Sequence, residues 1–184
     1  MVLCGDRISV LPVYYHLSVY QSNVSVYVEL RGGPVEARYT SMCYTFAGMI
    51  AGAVSGYLIS RMKEYVFGLS CALAAVGMAL AFLSSNLLVL SAGGMFCGAA
   101  FSTLTPAGNY FAAQKAGENN RSFCITIFIS SSNLGQALSP IAIAWIMGPL
   151  SVAQRFLGAS AAFAVIFIFV FLAVCKTSRQ KGGA

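Results

Sequence analysis

Six apolar runs, each long enough to cross a bilayer, follow one another along this chain with only short charged or turn-forming breaks between them. Divided at the charge clusters, they fall near 8–29, 40–60, 65–84, 87–110, 122–148 and 154–175. A helix needs about 20 apolar residues to span the hydrocarbon core, so six spans consume nearly all of the 184 residues. The expectation is an all-α integral membrane fold, one transmembrane domain over 1–184 with no separate soluble domain. Composition points the same way: 9% of the residues are charged, whereas a water-facing domain carries about 25%. The lipid bilayer is the partner that this composition requires.

Orientation follows from the eleven basic residues, because Lys and Arg near helix ends are retained on the cytoplasmic side. With the N-terminus inside, Arg7, Arg61, Lys63, Lys115, Arg121, Lys176, Arg179 and Lys181 fall inside, and only Arg31, Arg38 and Arg155 outside. Both termini are therefore expected in the cytoplasm, with the chain in the plasma (inner) membrane. The net charge of +6 does not predict nucleic acid as a partner, since the basic residues stand singly between apolar runs and form no patch. Cys4, Cys43, Cys71, Cys97, Cys124 and Cys175 are scattered without the spacing of a metal site. They read as small apolar packing groups, and neither a metal nor a cofactor is expected. Met1 to Arg7 lacks the features of a cleaved signal peptide, so the first helix is expected to stay.

The segments differ in kind. The first carries Tyr14, Tyr15, His16, Tyr20, Gln21 and Asn23, and the second a glycine series. The fourth carries Ser102, Thr103, Thr105, Pro106 and Asn109, and the fifth Ser130 to Asn133, Gln136 and Ser139-Pro140. The third and sixth are nearly featureless. Polar side chains facing lipid are costly, so the four polar helices are expected to line an interior and the two plain ones to face lipid. The order polar, polar, plain, twice over, is a three-plus-three repeat, and an odd number of spans per repeat inverts the second copy.

Gly48, Gly52 and Gly56 recur every four residues, as do Gly94 and Gly98, marking helix faces where another backbone can approach. Ser130 to Asn133 place hydrogen-bonding groups near the bilayer midplane, where transporter sites sit; hydroxyls bonded back to their own helix are the plainer reading. Pro106 and Pro140 each remove an amide hydrogen and weaken the helix locally. His16 is the one histidine, able to relay protons or contact substrate, or simply to sit at the interface beside its tyrosines. Ser55 amid small residues superficially suggests a nucleophile, but no carboxylate lies inside any span, Glu29 standing at the very end of the first, to orient a base for it, so no enzyme is expected. A channel is harder to exclude, although the sequence shows no filter-like loop or ring of charges.

The order of polar and plain helices, the run Gly56-Tyr-Leu-Ile-Ser-Arg61 leading into a basic loop, and Asn133-Leu-Gly-Gln-Ala-Leu-Ser-Pro140 resemble the C-terminal six-helix half of a major facilitator superfamily transporter. The loop after the second helix in that family looks like Gly-x-x-x-Asp-Arg-x-Gly-Arg-Arg. Gly56 and Arg61 match it, while Ser60 stands for the acid, and Lys63 and Glu64 stand for the glycine and the first arginine that follows. The resemblance implies two six-helix halves around one cavity, this chain supplying one as two inverted three-helix repeats. It implies alternating-access transport of a small-molecule substrate by a half-length or truncated transporter. The second half would be another copy or a separate chain. The residues expected to line the cavity are Tyr15, His16, Tyr20, Gln21, Asn109, Ser132, Asn133 and Gln136. Those expected in packing and gating are Gly48, Gly52, Gly56, Arg61, Gly94, Gly98, Pro106 and Pro140. The other reading is a non-transporting membrane fragment or subunit that pairs through its glycine faces.

Overall fold

The computed structural model describes residues 34–63, 65–84, 86–116 and 120–147, and positions at intervals between 151 and 168. Four helices, α1 (Pro34–Met62), α2 (Tyr65–Leu83), α3 (Leu87–Ala116) and α4 (Arg121–Met147), correspond to the second to fifth apolar segments. Described positions between 154 and 168 are also helical. The first segment lies outside the described residues.

The helices outrun the apolar segments at two ends, for one physical reason: charge limits a membrane span but not a helix. α1 begins at Pro34, a residue favoured in the first helical turn because its missing amide hydrogen would be unpaired there anyway. α3 likewise continues through Gln114 and Lys115 to Ala116. Three stretches, Arg38–Met62, Tyr65–Leu83 and Leu87–Gln114, are long and apolar enough to cross a membrane. The chain is a multi-pass integral membrane protein.

The breaks are built from ordinary terminus chemistry. Lys63 closes α1 in the left-handed region with φ 50°, its amide donating to the Ile59 carbonyl at 2.9 Å while the Val66 amide donates to the Lys63 carbonyl at 3.3 Å. Lys63 occupies the place of the glycine in the loop pattern quoted above; the backbone keeps a glycine-like conformation without the glycine. Asn86 caps α3, accepting the Val89 amide on Oδ1 at 3.2 Å. Ser151 and Gln154 form a reciprocal capping box ahead of the sixth segment: the Ser151 amide donates to Gln154 Oε1 at 2.9 Å and the Gln154 amide to Ser151 Oγ at 3.4 Å.

Among the described helices α3 is central, packing most extensively on α1 and α2 and less on α4. Gly48 and Gly52 of α1 lie against Gly98 and Ser102 of α3, with position numbers rising together, so the two helices run parallel. Gly77 of α2 meets Gly93 and Cys97 of α3, and Gly93 meets Ala81, so α2 is antiparallel to both. Chain direction thus alternates from helix to helix, as successive crossings require. This gathers Arg61, Lys63, Lys115 and Arg121 at one end of the bundle and leaves Arg38 at the other.

The interior is made of small side chains: Ala74, Ala81, Cys97, Ala100 and Ala107 are wholly buried, alongside Val66 and Met78. Without a hydrophobic driving force between helices in lipid, such close backbone approach supplies the packing. One result departs from the polarity expectation. Over its spanning window the glycine-striped α1 is 22% buried, whereas the plain α2 is 44% and α3 50% buried. α2 packs closely because Gly77, Ala74 and Ala81 let it, whatever its lack of polar groups. The sixth segment is tied to it through Ser160 Oγ, which donates to the Ala75 carbonyl at 3.0 Å.

Candidate functional site

Residues turn by about 100° each along a helix, and on α4 this sorts the side chains into three lines. Phe128 and Ser132 are buried, and Gln136, one turn on, is half-buried, making the inward line. Phe123, Ile127, Leu134, Leu138, Ile141 and Trp145 form an exposed apolar line suited to lipid. Thr126, Ile129, Ser130, Asn133 and Ala137 form a third exposed line, in which Thr126, Ser130 and Asn133 are the polar members. Thr126 donates back to the Ser122 carbonyl at 2.9 Å, whereas exposed side chains such as Ser130 and Asn133 need water or protein against them wherever lipid surrounds a helix. Thus Ser132 and Gln136 share a face, and Asn133, next in sequence to Ser132, lies on a different one.

On α3, Ser91, Gly98, Ser102 and Asn109 recur at spacings of seven, four and seven, on the side that meets α1. Most hydroxyls of these helices are occupied by their own backbone: Thr103 donates to the Ala99 carbonyl at 2.7 Å and Thr105 to the Phe101 carbonyl at 3.1 Å. Ser55 donates to the Gly52 carbonyl at 2.6 Å, the behaviour of a structural hydroxyl. Two buried side-chain atoms among the described residues have no partner, Ser91 Oγ and Asn109 Oδ1. An unpaired buried carbonyl oxygen is costly to leave unsatisfied, which makes Asn109 the most pointed polar group of the α3 line. Beside it in sequence, Gly108 meets the Phe128 ring of α4, one turn from Ser132. Gly108 and Phe128 thus mark the α3–α4 crossing, with Ser132 one turn along α4 from it.

The remaining expected residues fall as follows. Tyr15, His16, Tyr20 and Gln21 lie outside the described residues. Gly48 and Gly98 sit in the α1–α3 contact, Gly98 against the Tyr44 carbonyl. A four-residue step on a helix drifts by about 40°, so a β-carbon on Gly52 would lie 3.9 Å from Ser102 Cβ, an ordinary contact, and one on Gly56 would meet nothing within 4 Å. Gly94 is buried and Arg61 exposed. Pro106 lies inside α3 and Pro140 inside α4, and both helices continue past them. Gly77, Gly93, Gly108, Ser91 and Ser160 were not singled out by sequence reasoning. Gly93 stands next to Gly94, and attention to four-residue spacing alone hid it; Gly77 lies in a segment that reads as plain.

Three helices long and apolar enough to cross a membrane, joined by close glycine crossings, make a multi-pass membrane bundle. The chain belongs to the Major Facilitator Superfamily, whose family model matches residues 8–183. No curated protein matches it. Membership carries with it contact with the bilayer and with a small-molecule substrate.

Proposed function

We propose that this chain acts as one six-helix half of a major-facilitator-type transporter, of the C-terminal kind, moving a small solute by alternating access. In this reading the six helices form two inverted three-helix repeats, and a second half, another copy or a separate chain, closes the cavity. The four basic residues gathered at one end of the bundle support placing that end, and with it both termini, on the cytoplasmic side of the plasma membrane. The cavity is lined by Tyr15, His16, Tyr20 and Gln21 of the first helix with Asn109 and Asn133, and Ser132 and Gln136, expected there from sequence, stand on the inward face of α4 behind it. Gly56 and the open face of α1 are offered to the second half.

The observation that carries this reading is the separation of the exposed surface of α4 into a polar line through Ser130 and Asn133 and an apolar line through Leu134 and Leu138. Cysteine accessibility tests it without knowledge of the substrate. In a cysteine-free background reconstituted in liposomes, Ser130→Cys and Asn133→Cys should react with a water-soluble thiol reagent, and Leu134→Cys and Leu138→Cys should not. Equal reactivity on the two lines, or none on the polar line, would sink the proposal.

A further inference from the structure

Among the described residues, Lys63 is the one non-glycine residue with positive φ, at 50°. Glycine adopts this conformation freely and a side chain with a β-carbon resists it. The lysine charge complements the C-terminal end of the α1 dipole, but its backbone makes only the turn's hydrogen bonds to Ile59 and Val66, which any residue would make, and its side chain is exposed. No ion pair engages it among the described residues; Glu64, next in the chain, lies outside them. A strained position that keeps a charge directs attention to an outside partner.

The surroundings identify that partner. Arg61, also exposed, precedes Lys63 by two residues, and both stand where the Arg38–Met62 span ends and the Tyr65–Leu83 span begins. Beneath the turn lies an apolar floor, with Ile59, Val66 and Ala107 at its core and Met62, Phe67 and Phe111 packed against it. Tyr57, Tyr65 and Tyr110 are exposed at the same end of the helices, the residue type that settles at the headgroup level. We propose that the α1–α2 turn is a docking site for the headgroup of an anionic phospholipid, with Lys63 and Arg61 meeting the phosphate and the tyrosines fixing its depth. Basic side chains beside a bilayer attract anionic lipid in this way.

Thermal unfolding of the full chain in phosphatidylcholine nanodiscs, with phosphatidylglycerol added stepwise, tests the site. The wild-type protein should be stabilised as phosphatidylglycerol rises. Lys63→Gly and Lys63→Asn both suit the left-handed turn, so they should fold in pure phosphatidylcholine, the glycine variant melting above wild type. Each should need about fivefold more phosphatidylglycerol for the same shift. Arg38→Gln, at the opposite end of the bundle, should follow the wild-type curve. The proposal is overturned if the Lys63 variants track wild type, if Arg38→Gln weakens the response equally, or if wild type does not respond. Inorganic phosphate reproducing the shift in pure phosphatidylcholine would also overturn it, showing a free-anion site in place of a lipid one.

Discussion

Gly77 and Gly93 face one another across the α2–α3 crossing: a β-carbon on Gly77 would lie 2.7 Å from the Gly93 carbonyl oxygen, and one on Gly93 would lie 2.7 Å from the Gly77 carbonyl oxygen. The relationship is reciprocal, so each Cα hydrogen points at the other's carbonyl, an arrangement that recurs where membrane helices approach closely. The contact belongs to backbones, and no rotamer change can relieve an intruding methyl there.

Alanine at Gly77 or Gly93 should accordingly destabilise the protein by about 1–3 kcal/mol, the usual cost of overpacking. Gly98→Ala should be at least as severe, because its methyl would overlap the Tyr44 carbonyl. Gly56→Ala, with no neighbour within 4 Å, should be neutral or gain up to about 1 kcal/mol from helix propensity. Thermal unfolding in one detergent ranks the four variants, and a Gly56→Ala variant as damaged as Gly98→Ala would contradict this packing.

Gly108 differs in kind, since the atoms against it belong to the Phe128 ring and a side chain can move. Gly108→Ala should cost about 1–2 kcal/mol, and Phe128→Leu should recover part of that loss in the double variant. A double-mutant cycle on melting measures the coupling; strictly additive effects would place the ring elsewhere.

The second to fifth helices could be read from the sequence, because the apolar runs and the charges between them are imposed by the bilayer. Those same runs misjudge helix ends, since Glu36 and Arg38 stop a span while α1 runs back to Pro34. Close crossings were harder to read. Spacing marks Gly48, Gly52 and Gly56 as equivalent, yet the 40° drift per step buries the first and opens the last, and only the crossing position decides which is which. On α4, a run of four polar residues reads as one cluster; the helical turn divides it, sending Ser132 inward and Asn133 outward.

The sixth segment offers a test of that kind of hidden contact. Ser160 Oγ reaches the Ala75 carbonyl, 85 residues away in sequence, at 3.0 Å. Ser160→Ala removes one interhelical hydrogen bond and should cost about 0.6 kcal/mol, the average found for such bonds in membranes. Ser160→Leu should cost more, because the larger side chain must also enter the contact. Both are read by unfolding in detergent, and an unchanged Ser160→Leu variant would show that the sixth segment does not pack here.

Asn109 separates stability from function. Its Oδ1 is buried with no partner, so replacement by leucine, which has the same branched outline though a larger volume, forfeits no hydrogen bond at that atom and relieves an unsatisfied acceptor. Asn109→Leu should therefore melt at or above the wild-type temperature, in contrast to most buried polar-to-apolar changes, which break a bond already made. If the solute supplies the missing donor, transport by the assembled protein should fall by about tenfold, the scale of one buried hydrogen bond. Unfolding and uptake measured on the same variant decide the matter. A destabilised Asn109→Leu would mean that the residue is a structural bond-maker, and a stable variant with full uptake would remove it from the cavity.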